Sequence, residues 1–118
     1  MNQIFNLTTD ADGIATLLID KQDSTMNTID QVFIDELRES LDLIANDAAI
    51  KGVILTSGKE AFLAGADLKG IEERSDNAPN VSNKDTFDQI WSLSSLFRRM
   101  ETCGKPFVCA INGTAVGG

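Results

Sequence analysis

Histidine and tyrosine are absent from this chain of 118 residues. Their absence removes a Ser–His pair, a histidine-built zinc site and a tyrosine general acid from the chemistry these residues can perform. Cysteine is scarce: Cys103 and Cys109 are the only two, with Pro106 between them. No disulfide is expected, and nothing in this usage asks for an oxidising compartment. Cys109 falls within an apolar run and reads as a small buried hydrophobe. Positive charge is also short, with 10 basic residues against 18 acidic and a net charge of −8, so neither nucleic acid nor an anionic membrane is an expected partner. No apolar run approaches membrane-spanning length. The first six residues, Met1-Asn2-Gln3-Ile4-Phe5-Asn6, have neither the basic region nor the apolar stretch of a secretory leader. A cytoplasmic location is the resulting expectation.

What is present is the balance of a single globular domain, 42% hydrophobic and 24% charged. Residues 4–9 and 14–19 read as two strands, and Asp10-Ala11-Asp12-Gly13 between them supplies the turn of a hairpin. A polar loop, Lys21-Gln22-Asp23-Ser24-Thr25-Met26, leads to Asn27. Thr28-Ile29-Asp30-Gln31 matches a capping box with Thr28 as the cap. Phe33, Leu37, Leu41 and Ile44 then recur at helical spacing over about four turns. Asp35, Glu36, Glu39 and Ser40 fall off that stripe and read as a solvated face. Val53-Ile54-Leu55 is a buried strand by composition. Residues 70–84 are polar and interrupted by Pro79, which predicts a short helical turn followed by a loop. A second helix runs from Asp85 to about Met100, with Phe87, Ile90, Trp91, Ser94, Phe97 and Met100 as a core-packing stripe. Gly104 stops it, and Phe107-Val108-Cys109-Ala110-Ile111 reads as another buried strand. The fold class is therefore α/β.

Each of the last two strands feeds a glycine-bearing stretch. The first is Ala61-Phe62-Leu63-Ala64-Gly65-Ala66-Asp67-Leu68-Lys69, and the second is Asn112-Gly113-Thr114-Ala115-Val116-Gly117-Gly118. Glycine in such a turn permits backbone approaches that a Cβ forbids, and the turn leaves amide donors facing outward. Two turns of this kind brought together would offer two N–H groups to one oxygen, the arrangement of an oxyanion hole. Taken singly, each stretch also reads as a plain strand-to-helix turn, with Asp67 a first-turn partner of the helix dipole.

At these residues the sequence resembles the crotonase (enoyl-CoA hydratase/isomerase) superfamily. Lys59-Glu60-Ala61-Phe62-Leu63-Ala64-Gly65-Ala66-Asp67-Leu68 is similar to its first signature, and Lys105-Pro106-Phe107-Val108-Cys109-Ala110-Ile111-Asn112-Gly113-Thr114-Ala115-Val116-Gly117-Gly118 to the start of its second. The resemblance implies a crotonase-type ββα spiral, of which residues 1–118 would be the N-terminal part, cut after the second motif. It implies that the backbone N–H groups of Ala66 and Gly118 hold an acyl-CoA thioester oxygen. Ala64, Gly65, Asp67 and Leu68, with Met26 in the loop before Asn27, would line the coenzyme A site. Lys21, Lys59 and Lys69 are candidate partners for the polyanionic coenzyme, or ordinary solvated surface lysines. The loop at residues 21–28 is nearest to the multifunctional fatty-acid-oxidation branch. The implied reaction is hydration of 2-enoyl-CoA, with no metal and no cofactor beyond the coenzyme A of the substrate, in a trimer of the full-length protein. The general acid and base would lie beyond Gly118; Glu60, Asp67, Glu72 and Glu73 are the nearest acids here and match none of the family's positions. These 118 residues alone are therefore expected to be inactive. Isomerisation, thioester hydrolysis, decarboxylation and acyl-CoA binding without turnover remain as alternatives.

Overall fold

The computed structural model describes residues 3–66 and 83–117. Period-two alternation in the first strands and helical periodicity after residue 30 give a sheet covered on one face by helices. β1 (Phe5–Thr9) and β2 (Ile14–Ile19) form the expected antiparallel hairpin, with Phe5 opposite Ile19 and Thr9 opposite Ala15. Its turn is closed by the Asp10 carboxylate, which accepts from the N–H groups of Asp12 and Ile14 at 2.9 Å each. α1 (Gln31–Asn46) crosses over to β3 (Gly52–Ser57), which lies parallel to β2. β4 (Leu63–Ala64) follows, then α2 (Asn83–Thr102), β5 (Phe107–Ala110) and β6 (Ala115–Val116). Strand order in the main sheet is β1-β2-β3-β5, with β5 parallel to β3; β4 and β6 form a separate parallel pair.

Ala15, Leu17 and Ile19 of β2 and Val53 and Leu55 of β3 point to one face, where Phe33, Leu37, Leu41 and Ile44 of α1 cover them. Phe5 and Phe33 meet there with ring centroids 4.9 Å apart. Burying a side chain of this size stabilises by about 1.5–3 kcal/mol, so this stripe is the main cohesive element.

Four expectations change. The cap of α1 is Asp30, whose carboxylate accepts from Phe33 N–H at 2.8 Å, and Thr28 instead takes a bond from Lys21 Nζ at 2.9 Å. The helix cannot start at Thr28 because Ile29 runs as extended backbone beside Ala66 and gives its N–H to the Gly65 carbonyl at 2.8 Å. Glu36 and Ser40 are buried rather than solvated. The Glu36 carboxylate accepts from the N–H groups of Gln3, Ile4 and Phe5 at 2.6, 2.9 and 3.0 Å, satisfying donors before and at the first residue of β1.

The stripe of α2 is divided. Leu96 joins the core and Leu93, Phe97 and Met100 pack against it, whereas Phe87, Ile90 and Trp91 are more than 60% exposed. The strand over residues 107–111 is not buried either: Val108 and Ile111 are each 62% exposed, and Cys109 is exposed. β5 is the last strand of the sheet among the described residues, so it is covered from one side only. Residues 67–82, which hold most of the expected polar loop, lie outside the described residues. Among the described residues no helix is long and apolar enough to cross a membrane, and no acidic, histidine or cysteine cluster has the makings of a metal site.

Candidate functional site

The two glycine stretches meet. Leu63 pairs with Ala115 and Ala64 with Val116 in the parallel β4–β6 ladder, and Phe62 and Leu63 both give their N–H groups to the Thr114 carbonyl at 2.9 and 3.1 Å. Just past this ladder Gly65 and Gly117 face each other, with φ of +85° and +72°. A Cβ on Gly117 would lie 2.7 Å from the Gly65 Cα, so position 117 accepts only glycine.

On its other side β4 is held by residues 27–29. Ala64 gives its N–H to the Asn27 carbonyl at 2.8 Å, and the Gly65 carbonyl accepts from Ile29. The Gly65–Ala66 peptide is trans, so its N–H points opposite to its carbonyl. The Ala66 N–H therefore faces away from Ile29. Gly65 is buried and Ala66 is exposed, so this donor lies at the rim of the turn.

Asn27 is the anchor of this arrangement and is fully buried. Its side-chain amide donates to Ile19 O (3.0 Å), Ser57 Oγ (2.8 Å) and Phe62 O (3.2 Å), and its Oδ1 accepts from Lys21 N–H at 3.0 Å. Each of these partners terminates a strand or opens a turn, so one side chain ties the end of β2 to the approach to β4. The sequence marked Asn27 only as the end of a loop. The available signal was a lone amide between polar loop and helix, which composition cannot distinguish from a capping residue.

The loop before it carries Met26, which is 51% exposed, next to Ser24. Neither Lys21 nor Lys59 is a free surface lysine. Lys21 Nζ bonds Asp30 Oδ2 at 2.6 Å, and Lys59 Nζ bonds Asp20 Oδ1 at 2.9 Å and the Ser24 carbonyl at 2.7 Å. Both are spent on fixing the loop, which corrects the reading of either as a solvated lysine. Burial opposes ionisation of Asp30. The Lys21 hydrogen bond, the Phe33 N–H and the Lys21 charge together outweigh it and hold the carboxyl below its usual value.

Ala64 and Gly65 are thus brought against residues 116 and 117, and Ala66 against Ile29, with Met26 one residue from the Asn27 anchor. Asp67, Leu68, Lys69 and Gly118 lie outside the described residues, as do Glu72 and Glu73. Glu60 is exposed in the connection between β3 and β4.

Comparison with known proteins places these features in context. Residues 9–118 match the family described as enoyl-CoA hydratase/isomerase. The fatty acid oxidation complex subunit alpha of Shewanella sp. (strain ANA-3) is 36% identical over the whole of this chain, and that of Pseudomonas syringae pv. tomato is 37% identical over 90% of it. The chain spans only 16% and 14% of the length of these two relatives. Among solved structures, an enoyl-CoA hydratase from Shewanella pealeana superposes with a TM-score of 0.84 at 22% identity, over 97% of this chain and 41% of that one.

Proposed function

The chain belongs to the enoyl-CoA hydratase/isomerase family, and we propose that it supplies the oxyanion-binding part of a hydratase acting on 2-enoyl-CoA in fatty acid oxidation. The observation that carries this reading is the short parallel ladder of β4 and β6, which brings the Gly65–Ala66 peptide beside Gly117.

When water adds to a double bond conjugated with a thioester, negative charge builds on the thioester oxygen. Amide donors already fixed in place stabilise that charge without reorganising, and each such donor contributes about 10²–10³ in rate. In this proposal the N–H groups of Ala66 and Gly118 are the donors. Their competence does not depend on pH, which suits a chain without histidine. The coenzyme A part of the substrate would run along Ala64, Gly65, Asp67 and Leu68 and past Met26. With Lys21 and Lys59 already paired, backbone donors would do most of the holding. The general acid and base are proposed to come from outside these 118 residues. Glu60, in the connection between β3 and β4, is exposed. An oxyanion hole also serves isomerisation, the other activity in the family's description, and product analysis separates the two. A trimeric assembly is part of the same proposal, supported by the apolar surface left open on β5 and α2.

The test is Ala66→Pro in the full-length protein, which deletes one of the two N–H groups assigned to the thioester oxygen. Turnover of crotonyl-CoA, followed by loss of enoyl absorbance, should fall by about 10²–10³ while the variant remains folded. Near wild-type turnover by a folded variant would remove Ala66 from the site.

A further inference from the structure

The two glycine turns are joined by more than the two-residue ladder. Ser57 closes β3 and is 5% exposed. Its Oγ accepts from Asn27 Nδ2 at 2.8 Å and from Lys59 N–H at 3.0 Å, and donates to the Ala61 carbonyl at 2.8 Å. Its carbonyl accepts from Asn112 Nδ2 at 2.9 Å. Asn112 opens the second glycine stretch, while Asn27 holds Ala64 of the first through its own carbonyl. The connection spanned by Ser57 is also where the second turn presses closest, since a Cβ on Gly113 would overlap the Glu60 carbonyl. No buried side-chain polar atom among the described residues lacks a partner. Hydrogen bonds of Asn27, Ser57 and the exposed Asn112 thus run without a break from the first turn to the second.

We infer that Ser57 is a positioning residue of the site: acting with Asn27 on one side and Asn112 on the other, it sets the first glycine turn against the second and so the spacing of the two amide donors. The inference rests on the reading of those turns as an oxyanion hole. Ser57 itself touches no substrate in it. Because the donors work only at hydrogen-bond distance from the developing charge, a shift well under the length of a bond between the turns lowers the chemical step more than ground-state binding.

The experiment uses the full-length protein with Ser57→Ala, Ser57→Thr and Asn112→Asp. Ser57→Ala removes the hydroxyl, Ser57→Thr restores it, and Asn112→Asp keeps the shape but removes the donor to the Ser57 carbonyl. With crotonyl-CoA, Ser57→Ala and Asn112→Asp should lower kcat by about ten- to a hundredfold with KM within about threefold, and Ser57→Thr should recover most of the loss. Wild-type kcat in folded Ser57→Ala or Asn112→Asp overturns the inference. So does a loss that appears only as a lowered Tm with kcat intact below the transition. Amide chemical shifts of Ala66 and Gly117 are recorded in the same variants. If the wild-type protein fails to turn over 2-enoyl-CoA, the functional reading falls, and the shifts then decide the positioning role. Movement of the Ala66 amide in Asn112→Asp sustains it, and an unmoved Ala66 amide overturns it.

Discussion

Gly65 and Gly117 face each other but would not tolerate a side chain equally. A Cβ on Gly65 finds the Val116 carbonyl at 3.6 Å, an ordinary contact, so Gly65→Ala should cost only the left-handed φ, roughly 1–2 kcal/mol. Gly117→Ala adds a collision with the Gly65 backbone to the same penalty and should cost about 3 kcal/mol or more in denaturant unfolding. Equal losses at the two positions would mean that the turns do not pack as described. The Gly-bearing turns were legible in the sequence because few residues other than glycine meet such demands. The partners of Glu36, Asn27 and Ser57 were not, because a polar residue's spacing says nothing about which distant backbone groups need it. Asp30 makes a pH-dependent prediction at this scale. Its carboxyl titrates below the usual value, so the stability it adds is fully present above about pH 3.9 and is lost as pH falls through its lowered value in the folded protein. Asp30→Asn, which keeps the cap, should flatten the acid limb of the stability curve and leave it unchanged near neutrality in shape, as read by urea unfolding from pH 2 to 7.

The helices show where periodicity informs and where it stops. Phe33, Leu37, Leu41 and Ile44 announced α1 and its buried face, and all four lie in the core. Its start was misread because the segment before it is claimed by β4, a tertiary contact that overrides a local capping pattern. Periodicity likewise told which face of α2 is apolar, but not how much of that face finds cover, and only the part from Leu93 onward does. The most consequential feature that α1 presents is Glu36. Glu36→Ala should strand three N–H donors and cost about 2 kcal/mol or more, since each unsatisfied buried group costs about 1–3 kcal/mol. Hydrogen exchange should then quicken at Ile4 and Phe5 well before it does at Leu17 or Val53. Unchanged protection at Ile4 would show that β1 is held by its pairing with β2 alone.

At the scale of the molecule, the α/β class and the order of strands and helices follow the sequence reading closely, the parallel pairing of β2, β3 and β5 was not read from it, and the exposed flank departs from it. Ile54 and Val108 are register partners on the sheet face away from α1, and Phe87, Ile90 and Trp91 add a second open apolar surface. Surfaces of this kind drive association. The 118-residue chain alone should therefore sediment as more than a monomer at micromolar concentration, and Val108→Lys should reduce the association. A strictly monomeric wild-type chain would count against it. The β4–β6 ladder has one consequence in time. It joins segments separated by the whole of α2 and β5, so the chain closes a long loop to make its smallest sheet. Such closure is entropically costly and is rewarded by only two residue pairs, so the ladder should form after the hairpin and α1 and open before them. A newly synthesised chain would then acquire its shape first and its paired glycine turns last.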